Sequence, residues 1–100
     1  MVVVRNIFRV KFGQTKEATA LWRQAVSILR DAGLVDEARL LTDVAGESFY
    51  TLVLETTHDS LAAWERAMQG LKDHREWQQV YAKIVAVTDS GRREILASIE

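Results

Sequence analysis

Residues 2–12, VVVRNIFRVKF, alternate without a break. Val2, Val4, Asn6, Phe8, Val10 and Phe12 fall on one face, and Val3, Arg5, Ile7, Arg9 and Lys11 on the other. Successive side chains of a strand point to opposite faces, so the pattern predicts a strand with one face almost wholly apolar. Asn6 is the one polar residue on that face. Gly13 ends the strand, and Thr15 is the expected N-cap of a helix whose positive end suits Glu17. Ala18, Leu21, Trp22, Ala25, Ile28, Leu29 and Ala32 then recur at helical spacing and form one broad stripe. Gly33 is placed for a left-handed stop, with Leu34 folding back on Leu29.

Residues 38–44 predict a weaker strand and residues 48–55, with Phe49, Tyr50, Leu52, Val53 and Leu54, a stronger one. Ala45, Gly46 and Glu47 turn between them, giving a hairpin. Asp59 or Ser60 caps the next helix, on which Leu61, Trp64, Met68 and Leu71 are the apolar stripe. Gly70 weakens its end, and Asp73 followed by Glu76 signals a new helical start. Trp77, Val80, Tyr81 and Ile84 are the stripe of that second segment. Asp89, Ser90 and Gly91 predict a turn. In the last strand Arg93, Ile95, Ala97 and Ile99 alternate with Glu94, Leu96 and Ser98.

The order is β-α-β-β-α-β with a broken second helix. It predicts an α+β, ferredoxin-like fold: a four-stranded antiparallel sheet with helices on one face. The uncovered face still carries apolar residues, Val3 and Ile7 among them, and calls for a second cover. A second copy of the chain, packed sheet to sheet about a two-fold axis, is the simplest one. A homodimer is therefore expected. Arg5 and Arg9 would lie on that face, with Glu55, Glu94 or acids of the partner copy as carboxylate partners.

Composition narrows the function classes. At 100 residues one domain is expected. Net charge is −1 and no Lys/Arg run exists, so no nucleic-acid partner is expected. Cysteine is absent and histidine occurs twice, so thiol chemistry is excluded and no metal site is expected. No apolar run approaches the ~20 residues of a membrane span, and the N-terminus reads as a strand, not a signal peptide. A cytoplasmic protein is the expectation. No nucleophile elbow or phosphate-binding glycine loop is present.

Chemistry concentrates in residues 63–77, AWERAMQGLKDHREW, and in Asn6. Asn6 is either a structural amide bonded to backbone or water, or a polar group facing a pocket. His74 is either a solvated residue at a helix start or a pocket residue. His58, before the second helix, is expected in the capping region or facing solvent. Trp22, Trp64 and Trp77 sit on apolar stripes and read as core, although a buried indole still needs an acceptor for its N–H. Asn6, Trp64, His74, Trp77 and Tyr81 are the residues expected to line a small-molecule cleft between helices and sheet.

RVKFG at residues 9–13, LVLET, SLAAWE and DHREW resemble the dimeric α/β-barrel superfamily, most of all its NIPSNAP-like and antibiotic-biosynthesis-monooxygenase-like members. The resemblance implies the fold and dimerisation but not a reaction. Asn6, Trp64 and His74 are also similar in placement to residues of small haem-degrading monooxygenases. That likeness implies His74 as an iron ligand, Asn6 as a donor to iron-bound oxygen, and Trp64 against the macrocycle. Three functions therefore stand open: a binding protein without a resident cofactor, a monooxygenase that is haem-using or cofactor-independent, and a purely structural dimerisation module.

Overall fold

The computed structural model describes residues 1–46 and 50–99. Its elements are β1 (Val2–Val10), α1 (Thr15–Asp31), β2 (Glu37–Thr42), β3 (Thr51–His58), α2 (Leu61–Lys72), α3 (Arg75–Ala86) and β4 (Thr88–Ala97). The sheet runs β2-β3-β1-β4, with every neighbouring pair antiparallel. All three helices lie on one face, and the molecule is only 18 Å thick along its shortest axis, two layers and no more. This is the ferredoxin-like α+β arrangement that the alternating and helical stripes predict. Among the described residues no helix is long and apolar enough to cross a membrane.

The stop of α1 forms as its sequence directs. Gly33 adopts φ 67°, its N–H donates to the Arg30 carbonyl, and the Leu34 N–H donates to the Leu29 carbonyl, each at 3.0 Å. These bonds close the paired C-terminal motif of a glycine-terminated helix. The start differs from expectation. Thr15 is the first helical residue, not the cap, so Gln14 holds the cap position and makes no side-chain bond.

Several boundaries differ from the linear pattern, some for a local reason and some because another strand pairs there. β1 ends at Val10, because a register irregularity follows Arg9 and the Lys11 N–H turns to the Val87 carbonyl. Phe12 is therefore 83% exposed and not on the covered face. β3 starts at Thr51, since Tyr50 has φ 59°, and runs on through Thr56 and Thr57 to His58. The Asp43 side chain accepts from the Thr51 N–H at 2.7 Å and closes the hairpin there, leaving Val44 outside β2 and fully exposed. The expected Glu47 end of the turn, and Ser48 and Phe49 of the expected strand, lie outside the described residues. The expected turn at 89–91 is strand instead, because Ser90 and Gly91 pair with Arg9 and Phe8. The reversal comes earlier, where the Thr88 hydroxyl donates to the Ile84 carbonyl at 2.7 Å.

Register assigns the two sheet faces. The covered face carries Val4, Asn6 and Phe8 with Leu52, Leu54, Thr56 and Ala38. Leu52, Leu54 and Ala38 are buried there in one cluster with Trp22, Ala25 and Leu29 of α1, and Val4 is fully buried as well. On the other face Arg39, Glu55, Arg5 and Glu94 are cross-strand neighbours in one row. Arg39 and Arg5 each donate through Nε to Glu55, at 2.5 and 2.8 Å, and the Glu55 side chain is only 8% exposed. Hydrogen bonds from Arg39 and then Arg5 hold its carboxyl below the ordinary value of 4.5. The stabilisation this supplies is present above that value and lost as pH falls through the lower folded one. Glu94 instead pairs with Arg92 at 3.0 Å. Leu41, Val53 and Ile7 lie to one side of the charged row, Val3 and Leu96 to the other.

Gly91 lies opposite Phe8, whose ring covers it. A Cβ added to Gly91 would stand 2.8 Å from Phe8 Cδ1, and that ring is held by its stack on Trp22. Gly91→Ala is expected to lower stability by about 1–3 kcal/mol, the usual cost of overpacking. Denaturant unfolding measures it, and an unchanged midpoint would show that the ring moves freely.

Candidate functional site

Helices α2 and α3 do not close onto the sheet along their whole length. Between them and strands β1 and β4 lies a cavity of about 480 Å³, within the ~300–1,000 Å³ usual for small-molecule sites. Asn6 and Phe8 of β1 and Leu54 and Thr56 of β3 contribute from the sheet. Trp22 and Leu29 come from α1, Trp64, Met68 and Leu71 from α2, and Trp77, Tyr81 and Val85 from α3. The start of β4, residues 88–93, completes the lining.

Aromatic rings form a continuous path along the wall. Phe8 stacks on Trp22 at 4.9 Å, Trp22 meets Trp77 edge-on at 6.4 Å, and Trp77 stacks on Tyr81 at 5.8 Å. Tyr81 is exposed, so the path runs from the core to the surface. Offset and edge-on ring pairs of this kind each add ~0.5–1.5 kcal/mol beyond their area, which helps hold the wall in shape.

The polar groups are few. Trp22 is 2% exposed, and its Nε1–H is buried with no hydrogen-bond partner among the described residues. The Thr56 hydroxyl is bonded to His58 Nε2 at 3.0 Å. The Asn6 Oδ1 accepts from Arg93 Nε at 2.7 Å, and the Arg93 guanidinium carbon lies 5.2 Å from the centre of the Trp64 ring. Asn6 and Arg93 are direct partners in the β1–β4 register, so the backbone itself brings them together.

Asn6, Trp64, Trp77 and Tyr81 thus share the cavity wall. His74 does not. It lies in a separate recess with Ile28, Asp31, Ala32 and Glu76. It is the N-cap of α3, in place of the expected Asp73, and its Nδ1 accepts from the Trp77 N–H at 3.2 Å. His58 also departs from expectation. It is 3% exposed, not facing solvent, because β3 extends far enough to carry it under α2. Burial lowers its pKa, with Asp36 opposing the shift.

Neither histidine is placed to ligate a haem in this cavity. Both histidines lie off the cavity wall, and the cap bond occupies the Nδ1 of His74. Among the described residues no cluster of three His, Cys, Asp or Glu is placed to hold a metal ion.

Trp22 and Arg93 are cavity residues that the sequence pattern does not single out. Arg93 had a signal of the same kind as Asn6: a lone polar residue in a run, Arg93, Ile95, Ala97, whose other members are apolar.

No family model and no curated protein matches this chain. Solved structures do. A NIPSNAP family protein from Agrobacterium tumefaciens is 18% identical, with a TM-score of 0.85 over 99% of this chain and 93% of that one. A protein described as an antibiotic biosynthesis monooxygenase is 16% identical, with a TM-score of 0.79 and full coverage of both chains. SnoaB, a cofactor-independent oxygenase from Streptomyces nogalater, solved as its N63A mutant, is 13% identical, with a TM-score of 0.76 over 99% and 93%. At these identities the likeness is one of fold.

His74→Ala is expected to cost about 1 kcal/mol through loss of the helix cap, read from denaturant unfolding. The same variant is expected to leave the Soret spectrum of added haemin identical to that with the parent protein. A Soret shift that the parent produces and His74→Ala abolishes would restore the ligand role.

Proposed function

We propose that the protein is a homodimer that binds a small, largely apolar ligand in the cavity between its helices and sheet. The observation that carries this reading is the cavity itself: about 480 Å³ between helices and sheet, walled by the rings of Phe8, Trp22, Trp77 and Tyr81, with Asn6 and Arg93 among its few polar groups. That volume and that mostly apolar, sparsely polar lining are usual for a small-molecule site. A purely structural module would have no use for the cavity.

The dimer rests on the uncovered sheet face. Its row of Arg39, Glu55, Arg5 and Glu94 alternates in sign across the four strands. A two-fold axis along the strands reverses the row, setting each arginine against a glutamate of the second copy. On one side of the row the same axis sets Val53 against Ile7 of the second copy, an apolar contact made twice, as a symmetric dimer requires.

Oxygenase activity is the second reading. Asn6 and Trp64 share the cavity wall while His74 stands apart, which favours chemistry without haem. The named oxygenases of the same fold add weight to it.

The uncharged dye Nile red is expected to bind saturably, one per chain, with a blue-shifted emission. Leu54→Trp, which fills the cavity, is expected to weaken that binding by about tenfold or more. Unsaturable binding, or binding indifferent to Leu54→Trp in a folded variant, would remove the cavity from consideration. Oxygen uptake in the presence of ligands that displace the dye separates an enzyme from a binding protein. Light scattering is expected to give twice the chain mass, and Ile7→Glu to give one; a monomeric parent protein rules out the dimer.

A further inference from the structure

We infer that the cavity takes an amphipathic carboxylate, its apolar body against the aromatic wall and its carboxylate on Arg93. This rests on the cavity-binding reading above and adds the chemical class of the ligand.

The charges around the cavity single out one group. Its lining includes three charged residues, Asp89, Arg92 and Arg93, but register sends the Arg92 side chain to the opposite face of the sheet, beside Ile7 and Glu94. Arg92 is already paired with Glu94 at 3.0 Å. Arg93 has no carboxylate within ion-pair distance among the described residues, Asp89 included. Its two fixed interactions are with neutral groups. The Asn6 Oδ1 takes its Nε–H at 2.7 Å, and the Trp64 ring lies under the guanidinium at 5.2 Å. Both orient the group and neither cancels its charge. Its terminal Nη donors meet no acceptor among the described residues.

A guanidinium held in this way presents a planar pair of N–H donors, the geometry that matches the two oxygens of a carboxylate. Asn6 is the positioning residue. It sits on the central strand, directly opposite Arg93 in register, and uses the inner nitrogen so that the outer fork stays open. Trp64 covers one side of the guanidinium, which is otherwise exposed. A single unpaired cation suits a monoanion. A phosphate, with close to two negative charges, would leave the excess uncompensated beside Asp89.

The remainder of the ligand follows from the wall. The path Phe8, Trp22, Trp77 and Tyr81 offers ring faces and edges, which suit a flat body. An aryl carboxylate satisfies both the ring-lined wall and the open guanidinium of Arg93.

The test compares naphthoate with its uncharged isostere naphthamide as displacers of Nile red from the intact protein at neutral pH. Naphthoate is expected to displace the dye at roughly tenfold lower concentration, the equivalent of one charge-assisted hydrogen bond. Arg93→Gln is expected to erase that preference, so that the two compounds displace the dye at equal concentrations. Arg93→Lys is expected to keep part of it, and added salt to shrink it in the parent protein. Equal displacement by both compounds, or a preference that survives Arg93→Gln, overturns the carboxylate assignment and leaves the cavity reading standing. Failure of the parent protein to bind Nile red saturably overturns the cavity reading, and this inference with it.

Discussion

The stack of Trp22 on Phe8 is the contact on which the rest of the structure depends. It joins the first helix to the central strand, and it is possible only because Gly91, on the neighbouring strand, has no side chain where the phenyl ring lies. The indole then meets Trp77 and fixes the distance of the third helix from the sheet. Large rings at that junction hold α3 away from β1 and β4, and the space left beneath α2 and α3 is the cavity. One interaction thus sets the core, the helix spacing and the site. It also explains why the buried indole N–H has no acceptor: it stands among rings and aliphatic side chains, with no backbone carbonyl turned toward it.

The two faces of the sheet do different work. The covered face carries the apolar core and, at the β1–β4 pair, the Asn6–Arg93 bond at the cavity. The other face carries one carboxylate between two arginines, flanked by aliphatic residues. The side chain of Glu55 is largely hidden between Arg39 and Arg5, so the three charges are already compensated within the single chain.

Much of the fold is legible in the linear pattern because its signals are local. The alternation of residues 2–10 gives β1 and its faces, and the α1 stripe, the Gly33 stop and the break between α2 and α3 need only nearby residues. Boundaries depart from the local pattern where a distant partner decides them. Thr56 to His58 are strand because β1 reaches them, and Ser90 and Gly91 are strand because Arg9 and Phe8 pair with them. The composition Asp-Ser-Gly favours a turn in isolation, and the ladder overrides it. His74 shows the same limit at a helix end: next to Asp73, the better capping residue by type, it is the imidazole whose geometry meets the free N–H of Trp77.

By itself the sequence determined the element order, the helix-covered face of the sheet and a lone amide, Asn6, on that face. These follow from periodicity, which a single strand or helix imposes on its own residues. Only the tertiary structure decided what the amide faces. Asn6 and Arg93 are 87 positions apart, and nothing local marks them as a pair; register across two strands brings them together. The same holds for the ring path from Phe8 to Tyr81, drawn from three elements, and for the removal of His74 from the site. A cavity is a property of the gap between elements, and its residues are identified only once the elements are set against one another.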